Sequence, residues 1–391
     1  MKLNLRNGSL MELDAELREQ KERQADLIVP ARDLWSRNGS VLVRDAGVPV
    51  FSDTGMTTQH LNLSPSPVFD EGLSGKLSLP RAYVRTLRES GRTDILDNMI
   101  NRTLHGNEDI PSAVADDRKF MVRTFTAAKE NGVGYARALL SNSYKPIDNW
   151  DVLNAVIMGM TAAGLDAHVV RQADLTDRRM YVKIVVPEVQ ALAPNLLRNY
   201  VSPYSRNRGA DNPTVFAGLV IKNSETGGSA FTITPELTVE ICTNGMTITQ
   251  DAIRKTHLGS KLEEDGLIKV SNETQQANLA LITAQTKDAV NTFLDVDYMK
   301  NVIDRIERQA GTELVAPQDV VQSIVKRAAF TAADADGIMD AFIKGADVTR
   351  GGMFNAITAY SQRVEDADHA YEMDADALAA VGMVGVSGRS A

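Results

Sequence analysis

The chain is almost without cysteine: Cys242 stands alone among 391 residues. A lone cysteine excludes an intramolecular disulfide and cannot by itself build a structural zinc site. Long apolar runs are missing too, and none approaches the roughly 18–20 residues that a membrane span requires. Met1 to Asp26 is polar and charged, with no apolar stretch of the kind that drives secretion, so no leader is expected. These absences predict a soluble protein of a reducing cytoplasm, with no membrane partner.

Catalytic signatures are absent as well. His60, His105, His168, His257 and His369 never fall at a metal-ligand spacing. No nucleophile elbow occurs, and no strand pattern of paired acids and a lysine suggests a nuclease. Gly72-Leu73-Ser74-Gly75-Lys76-Leu77 places two residues between its glycines where a phosphate-binding loop has four, and Leu77 stands where a magnesium-binding hydroxyl belongs. Asp295-Val296-Asp297 could hold a cation, but between two helical segments it reads more simply as a cap. Cys242 ends an apolar strand with no adjacent base and is expected to be buried and unreactive. His257, just before Gly259, reads as a helix-end charge. No catalytic residue, metal or cofactor is therefore assigned.

What the chain does have is an uneven charge. The net charge is −9, yet Thr331 to Ala391 holds 10 acids against 4 bases. Residues 118–145 show the reverse: Arg118, Lys119, Arg123, Lys129, Arg137 and Lys145 face one acid, Glu130. An acidic protein does not coat nucleic acid at random, although a basic face can bind it locally. The same charges also serve as ordinary solvated surface.

Periodicity predicts an α+β fold: a central antiparallel β-sheet with packed helices, followed by a helical C-terminal region. Met11 to Ala25 reads as a charged helix, Ser40 to Ser52 as a hairpin around Asp45, and Gly55 to Lys76 as loop. Helical spacing follows from Pro80, broken at Gly91. Arg137 to Ser141 reads as a strand. Asp148 and Asp151 sit at capping-box spacing ahead of an apolar helix, Trp150 to Ala163, that ends at Gly164 and belongs under a sheet. Ala167–Gln172, Arg179–Val186, Val215–Lys222 and Ala230–Cys242 read as strands, the last two joined at Gly227-Gly228 and the last marked by Pro235 as bulged or at an edge. Asn244-Gly245 should end the sheet and lead into a helix from Thr249 to His257. Beyond Gly259 the pattern is helical, and from about Ser361 it is acidic, alanine-rich and expected to be partly disordered. The divisions are 1–78 (helix and irregular hairpin segment), 79–260 (α+β core), 261–360 (helical) and 361–391 (acidic tail).

One constellation has a functional flavour. Arg198, Tyr200, Tyr204, Arg206 and Arg208 crowd a loop between two strands. Arginine grips phosphate with two parallel hydrogen bonds, and a tyrosine face can stack on an unpaired base. Strand-connecting loops also use such residues merely to turn. The basic residues Arg118, Lys119, Arg123 and Lys129 are the second candidate for nucleic-acid contact.

Four segments carry a family resemblance: Leu79 to Arg85, Arg137 to Tyr144 with Ile147 to Trp150, Ile241 to Met246 leading to His257-Leu258-Gly259, and Gly352 to Thr358. In order and spacing they resemble the phage/plasmid-like protein family, a domain-of-unknown-function family of bacteriophages and mobile elements. The resemblance covers roughly residues 79–257, and more loosely 351–359. It implies a phage or mobile element acting in a bacterial host cytoplasm, and it brings no catalytic residues. The expected arrangement of helices beside an antiparallel meander also resembles the core of phage single-strand annealing proteins, which form rings or filaments around single-stranded DNA.

Together these imply a non-enzymatic protein of phage nucleic-acid metabolism that binds single-stranded DNA, anneals it, and forms a homo-oligomer. The alternative is a host-interaction or anti-defence protein whose acidic tail engages a host or phage protein. A metal-dependent nucleic-acid enzyme with a scattered site is a third reading. On the first, the six acids between Glu365 and Asp376 are placed to compete with phosphate for a basic groove.

Overall fold

The computed structural model describes residues 4–44, 49–52, 55–58, 60–107, 114–126, 133–240, 245–247, 251–255, 272–328 and 330–382. The chain begins β1 (Leu5–Gly8), α1 (Leu10–Arg23), β2 (Leu27–Pro30), β3 (Leu34–Arg37) and β4 (Ser40–Val43). Next come β5 (Pro49–Ser52), β6 (Gly55–Thr58), β7 (Leu61–Pro65), α2 (Pro67–Lys76), α3 (Arg81–Glu89) and α4 (Thr93–His105). The middle holds β8 (Lys119–Phe125), β9 (Gly134–Ser141), α5 (Asn149–Ala162), β10 (Val170–Leu175), β11 (Met180–Leu192) and α6 (Pro194–Leu197). It continues with β12 (Thr214–Asn223), β13 (Phe231–Val239), β14 (Gly245–Thr247) and β15 (Ile253–Lys255). Helices close the chain: α7 (Asn272–Phe293), α8 (Val296–Ala310), α9 (Pro317–Ala328), α10 (Ala332–Gly345), α11 (Arg350–Ser361) and α12 (Ala367–Ala380).

The expected α+β class holds, with two large sheets where one was expected. The smaller sheet runs β2-β8-β9-β7-β4-β3, and its β7–β9 pairing is parallel. Its tightest turn is Asn38-Gly39, where both residues take positive φ (52° and 74°), the conformation that a two-residue hairpin demands. The hairpin expected over Ser40 to Ser52 does not form, because β4 pairs instead with β3 and β7, and β5 pairs with β6. Gly55 to Lys76 is likewise not a loop. Ser66 caps α2 by accepting from the Phe69 N–H at 2.9 Å, and Pro67 takes the first helical position, where its missing N–H is harmless. Gly72 then lets α2 lie on β9, since a Cβ there would sit 2.5 Å from the Leu139 carbonyl oxygen. Leu73, Leu87, Leu96 and Ile100 pack on Val122 and Leu139 to form this sheet's core.

The larger sheet runs β1-β10-β11-β12-β13-β14, with β15 also on β13, and is antiparallel throughout. Arg179–Val186, Val215–Lys222 and the described part of Ala230–Cys242 are thus neighbouring strands of one sheet, as expected. Val152, Leu153, Val156 and Met160 of α5 pack with Val182, Ile184, Leu219, Ile221 and Ile233 in one core. Pro235 keeps register with Leu219, without a bulge. On the other side of β13 it falls between the residues paired to β15 and those paired to β14, where a missing N–H breaks no ladder. The helix expected over Thr249 to His257 is corrected, because Ile253–Lys255 is a strand. Cys242 and His257 lie outside the described residues.

The C-terminal helices form as expected from Asn272 onward. Asp295 caps α8 through the N–H groups of Asp297 and Tyr298, as its spacing suggested. The acidic segment after Ser361 needs correction. Its residues 367–380 form α12, whose Met373, Ala377 and Leu378 enter a core shared with Val215, Leu237, Met299, Ile324 and Phe354. Alanine-rich sequence with acids on one side suits a buried helix as well as it suits disorder. No helix among the described residues is long and apolar enough to cross a membrane.

Candidate functional site

Strand alternation gives the larger sheet two different faces. One is apolar and packs on α5. The other carries Tyr181 and Lys183 of β11, Phe216, Gly218 and Lys222 of β12, and Thr234, Glu236 and Thr238 of β13. Lys183 and Glu236 lie two strands apart, yet the Lys183 Nζ comes within 2.7 Å of Glu236 Oε1. Gly218 stands in register between Val185 and Glu236 and offers no side chain to block the reach.

Both members of that pair are buried, at 5% and 2% exposure. Burial pulls the Lys183 ammonium down, but Glu236, Asp374 and Asp174 more than reverse this, so the lysine is held charged. Asp374 reaches the same cluster from α12 and accepts from the Ser361 hydroxyl at 2.5 Å. Burial lifts its carboxyl to about 7 against the pull of Lys183 and Ser361. Two buried oxygens here have no hydrogen-bond partner, Oε2 of Glu236 and Oγ1 of Thr238.

A cleft of about 570 Å³ opens over this face, lined in part by Arg171, Gln172, Lys183, Phe216, Thr238 and Gln362. Phe216 is half-buried, so one side of its ring meets the opening, whereas Arg171 and the rim residue His168 are exposed. Cationic, aromatic and amide groups therefore converge on one concavity, together with the exposed carboxylates of Glu188 and Glu240. A second, smaller hollow of about 350 Å³ is lined in part by Asp177, Arg178, Glu365, Asp366 and Asp368, and no group of acids or histidines among the described residues is arranged to hold a metal ion.

The residues expected to bind nucleic acid do not form one surface. Arg198, Arg206 and Arg208 are exposed on the loop before β12. Tyr200 is not available there, a correction: at 1% exposure it belongs to the core with Leu197, Phe342 and Phe354. Tyr204 donates to the Ala359 carbonyl at 2.8 Å, and one face of its ring is taken by the Arg363 guanidinium, 3.7 Å from the centroid. On β8, Lys119 is exposed, while Arg118 is bidentate with Asp116 and also donates to the Lys76 carbonyl. Lys129 lies outside the described residues.

Arg123 is the clearest correction among the basic residues. It is fully buried and donates to Asp26, to Asp148 at 2.7 Å and to the Glu225 carbonyl at 2.7 Å. Glu225 in turn takes the Arg137 guanidinium and the Asn149 N–H. The network ties both sheets to the start of α5. It also explains why Asp148 makes no capping bond, contrary to expectation: its carboxylate is occupied by Arg123 and Lys21. Burial works to raise Asp148 and Glu225, but these cations overcome it and hold both carboxyls below their ordinary range.

Sequence reasoning missed Lys183, Glu236, Phe216 and Thr238. A signal was present, since Lys183 interrupts the otherwise apolar run Tyr181 to Val186 and Glu236 sits mid-strand. A period-2 pattern alone assigns such residues to solvent. No family model, no curated protein and no solved structure matches this chain.

Proposed function

We propose that the protein binds single-stranded DNA in the nucleic-acid metabolism of a phage or mobile element, without catalysing a reaction, and that it assembles and anneals strands. One observation carries this reading: the sheet sets the half-buried Phe216 ring in a cleft with the exposed Arg171 at its rim. A flat apolar ring beside a cation is what a base and its phosphate require together. The exposed Arg198, Arg206 and Arg208 supply further phosphate contacts along the strand's path.

The test is a salt-dependent anisotropy titration of the full chain with single-stranded and duplex oligonucleotides. Single strands should bind more tightly than duplex, whose bases are already stacked. Phe216→Ala should weaken binding by about tenfold with the salt slope unchanged. Arg171→Ala should flatten the slope, because fewer counterions are released. Failure of the wild-type chain to bind any oligonucleotide at moderate salt overturns the proposal.

A further inference from the structure

We infer that the cleft admits one unpaired nucleobase edge first, with the Thr238 hydroxyl and the Lys183 ammonium as its hydrogen-bonding floor and the phosphate left outside. The inference rests on the single-strand reading above and adds which part of the nucleotide enters.

The floor asks for a ligand. Thr238 is 5% exposed, lines the cleft, and its Oγ1 has no partner in the protein. One residue pair inward, Glu236 leaves Oε2 equally unmatched at 2% exposure. Lys183 uses one ammonium proton on Glu236 and keeps two for an acceptor. The cleft floor thus offers a charged donor and one unused hydroxyl, with the second unused oxygen, that of Glu236, behind the lining. Base edges carry donors and acceptors side by side, so they match both kinds of group.

Position and charge set the orientation. Phe216 and Thr238 are direct cross-strand partners, so ring and hydroxyl stand as neighbours on the same face. A base lying on the Phe216 ring brings its edge toward Thr238. A phosphate, which only accepts, gains from Lys183 but would meet the Glu236 carboxylate within the same cluster. Arg171 at the rim is the better partner for it.

The test compares a mixed-sequence single-stranded 12-mer with an abasic strand of equal length and charge, using the full chain. Wild type should favour the base-bearing strand by at least about tenfold. Thr238→Val, isosteric and without the hydroxyl, should weaken binding of that strand about fivefold and leave abasic binding unchanged. Its unfolding midpoint should not fall, because the hydroxyl it removes has no protein partner. Equal affinity of wild type for the two strands, or base-strand affinity unchanged in a folded Thr238→Val, overturns the inference while the single-strand reading survives. Should Thr238→Val fail to fold, Phe216→Leu decides, and retention of the full base preference overturns the inference in the same way. Absence of binding to both strands removes the single-strand reading and the inference with it.

Discussion

Tyr371 of α12 lies flat on Tyr181 of β11, with ring centroids 4.0 Å apart and planes 3° from parallel. Around that stack the helix delivers its acids to the sheet. Asp368 accepts from the Tyr181 hydroxyl at 2.8 Å and the Thr176 hydroxyl at 2.9 Å, and Glu372 pairs with Arg179 at 2.9 Å. The segment expected to be a loose acidic tail is therefore docked on the same sheet face that carries the cleft.

Docking of this kind sets a first expectation. Asp368→Asn should lower stability by about 2 kcal/mol, because it leaves Arg179 largely buried beside a neutral partner. Chemical denaturation reads this directly. Deleting the helix is a poorer experiment, since Met373, Ala377 and Leu378 would leave a hole in the C-terminal core. An unchanged midpoint in Asp368→Asn would show that Glu372 alone holds Arg179.

Asp374 should give stability an unusual pH dependence. Unfolded, its carboxyl titrates near 3.8; folded, near 7, raised by burial and by Glu236 against the pull of Lys183, Ser361 and Arg6. Between those values the fold keeps a proton that the unfolded chain has released, so stability falls as pH climbs through that window. The loss is complete only above about pH 7 and amounts to at most about 4 kcal/mol. Asp374→Asn should remove this decline and unfold at a higher temperature than wild type at pH 8. Parallel melting curves of the two proteins from pH 4 to 8 would contradict the assignment.

Glu225 should be among the least replaceable polar residues. Its carboxylate meets the Arg137 guanidinium and the Asn149 N–H, and its field reaches Arg123. Glu225→Gln leaves two buried arginines short of charge, for a loss of about 3 kcal/mol. Binding measured at a temperature where the variant stays folded should be unchanged, because none of these groups lines the cleft.

The same network marks where the sequence was readable. The β11–β12–β13 meander and the C-terminal helices were legible because apolar periodicity and turn glycines act locally. The smaller sheet was not, since β7 finds β9 some 70 residues away by parallel pairing, which leaves no local trace. Arg123 and Tyr200 resisted for a related reason. Residue type suggested exposure, whereas the carboxylates that bury Arg123 come from Asp26, Asp148 and Glu225, distant in sequence. In reverse, Lys183 and Glu236 looked like solvent-facing positions, yet each finds its counter-charge two strands away on the sheet.

The loop before β12 now separates into two kinds of residue, and mutation should separate them too. Arg198, Arg206 and Arg208 are exposed, so replacing all three by alanine should leave the melting temperature nearly unchanged. If they touch phosphates, binding weakens and the slope of log affinity against log salt drops by about 0.7 for each phosphate left without its arginine. Tyr200 fills the C-terminal core at 1% exposure, and Tyr200→Ala should reduce stability by about 3–5 kcal/mol. Any loss of binding in that variant should track its unfolding and leave the salt slope of the folded fraction intact. Denaturation and salt titration of both variants suffice. A triple-arginine variant with wild-type affinity and slope would place the phosphate path elsewhere, with Arg171 at the cleft rim and Lys119 at the start of β8 as the next exposed cations to replace.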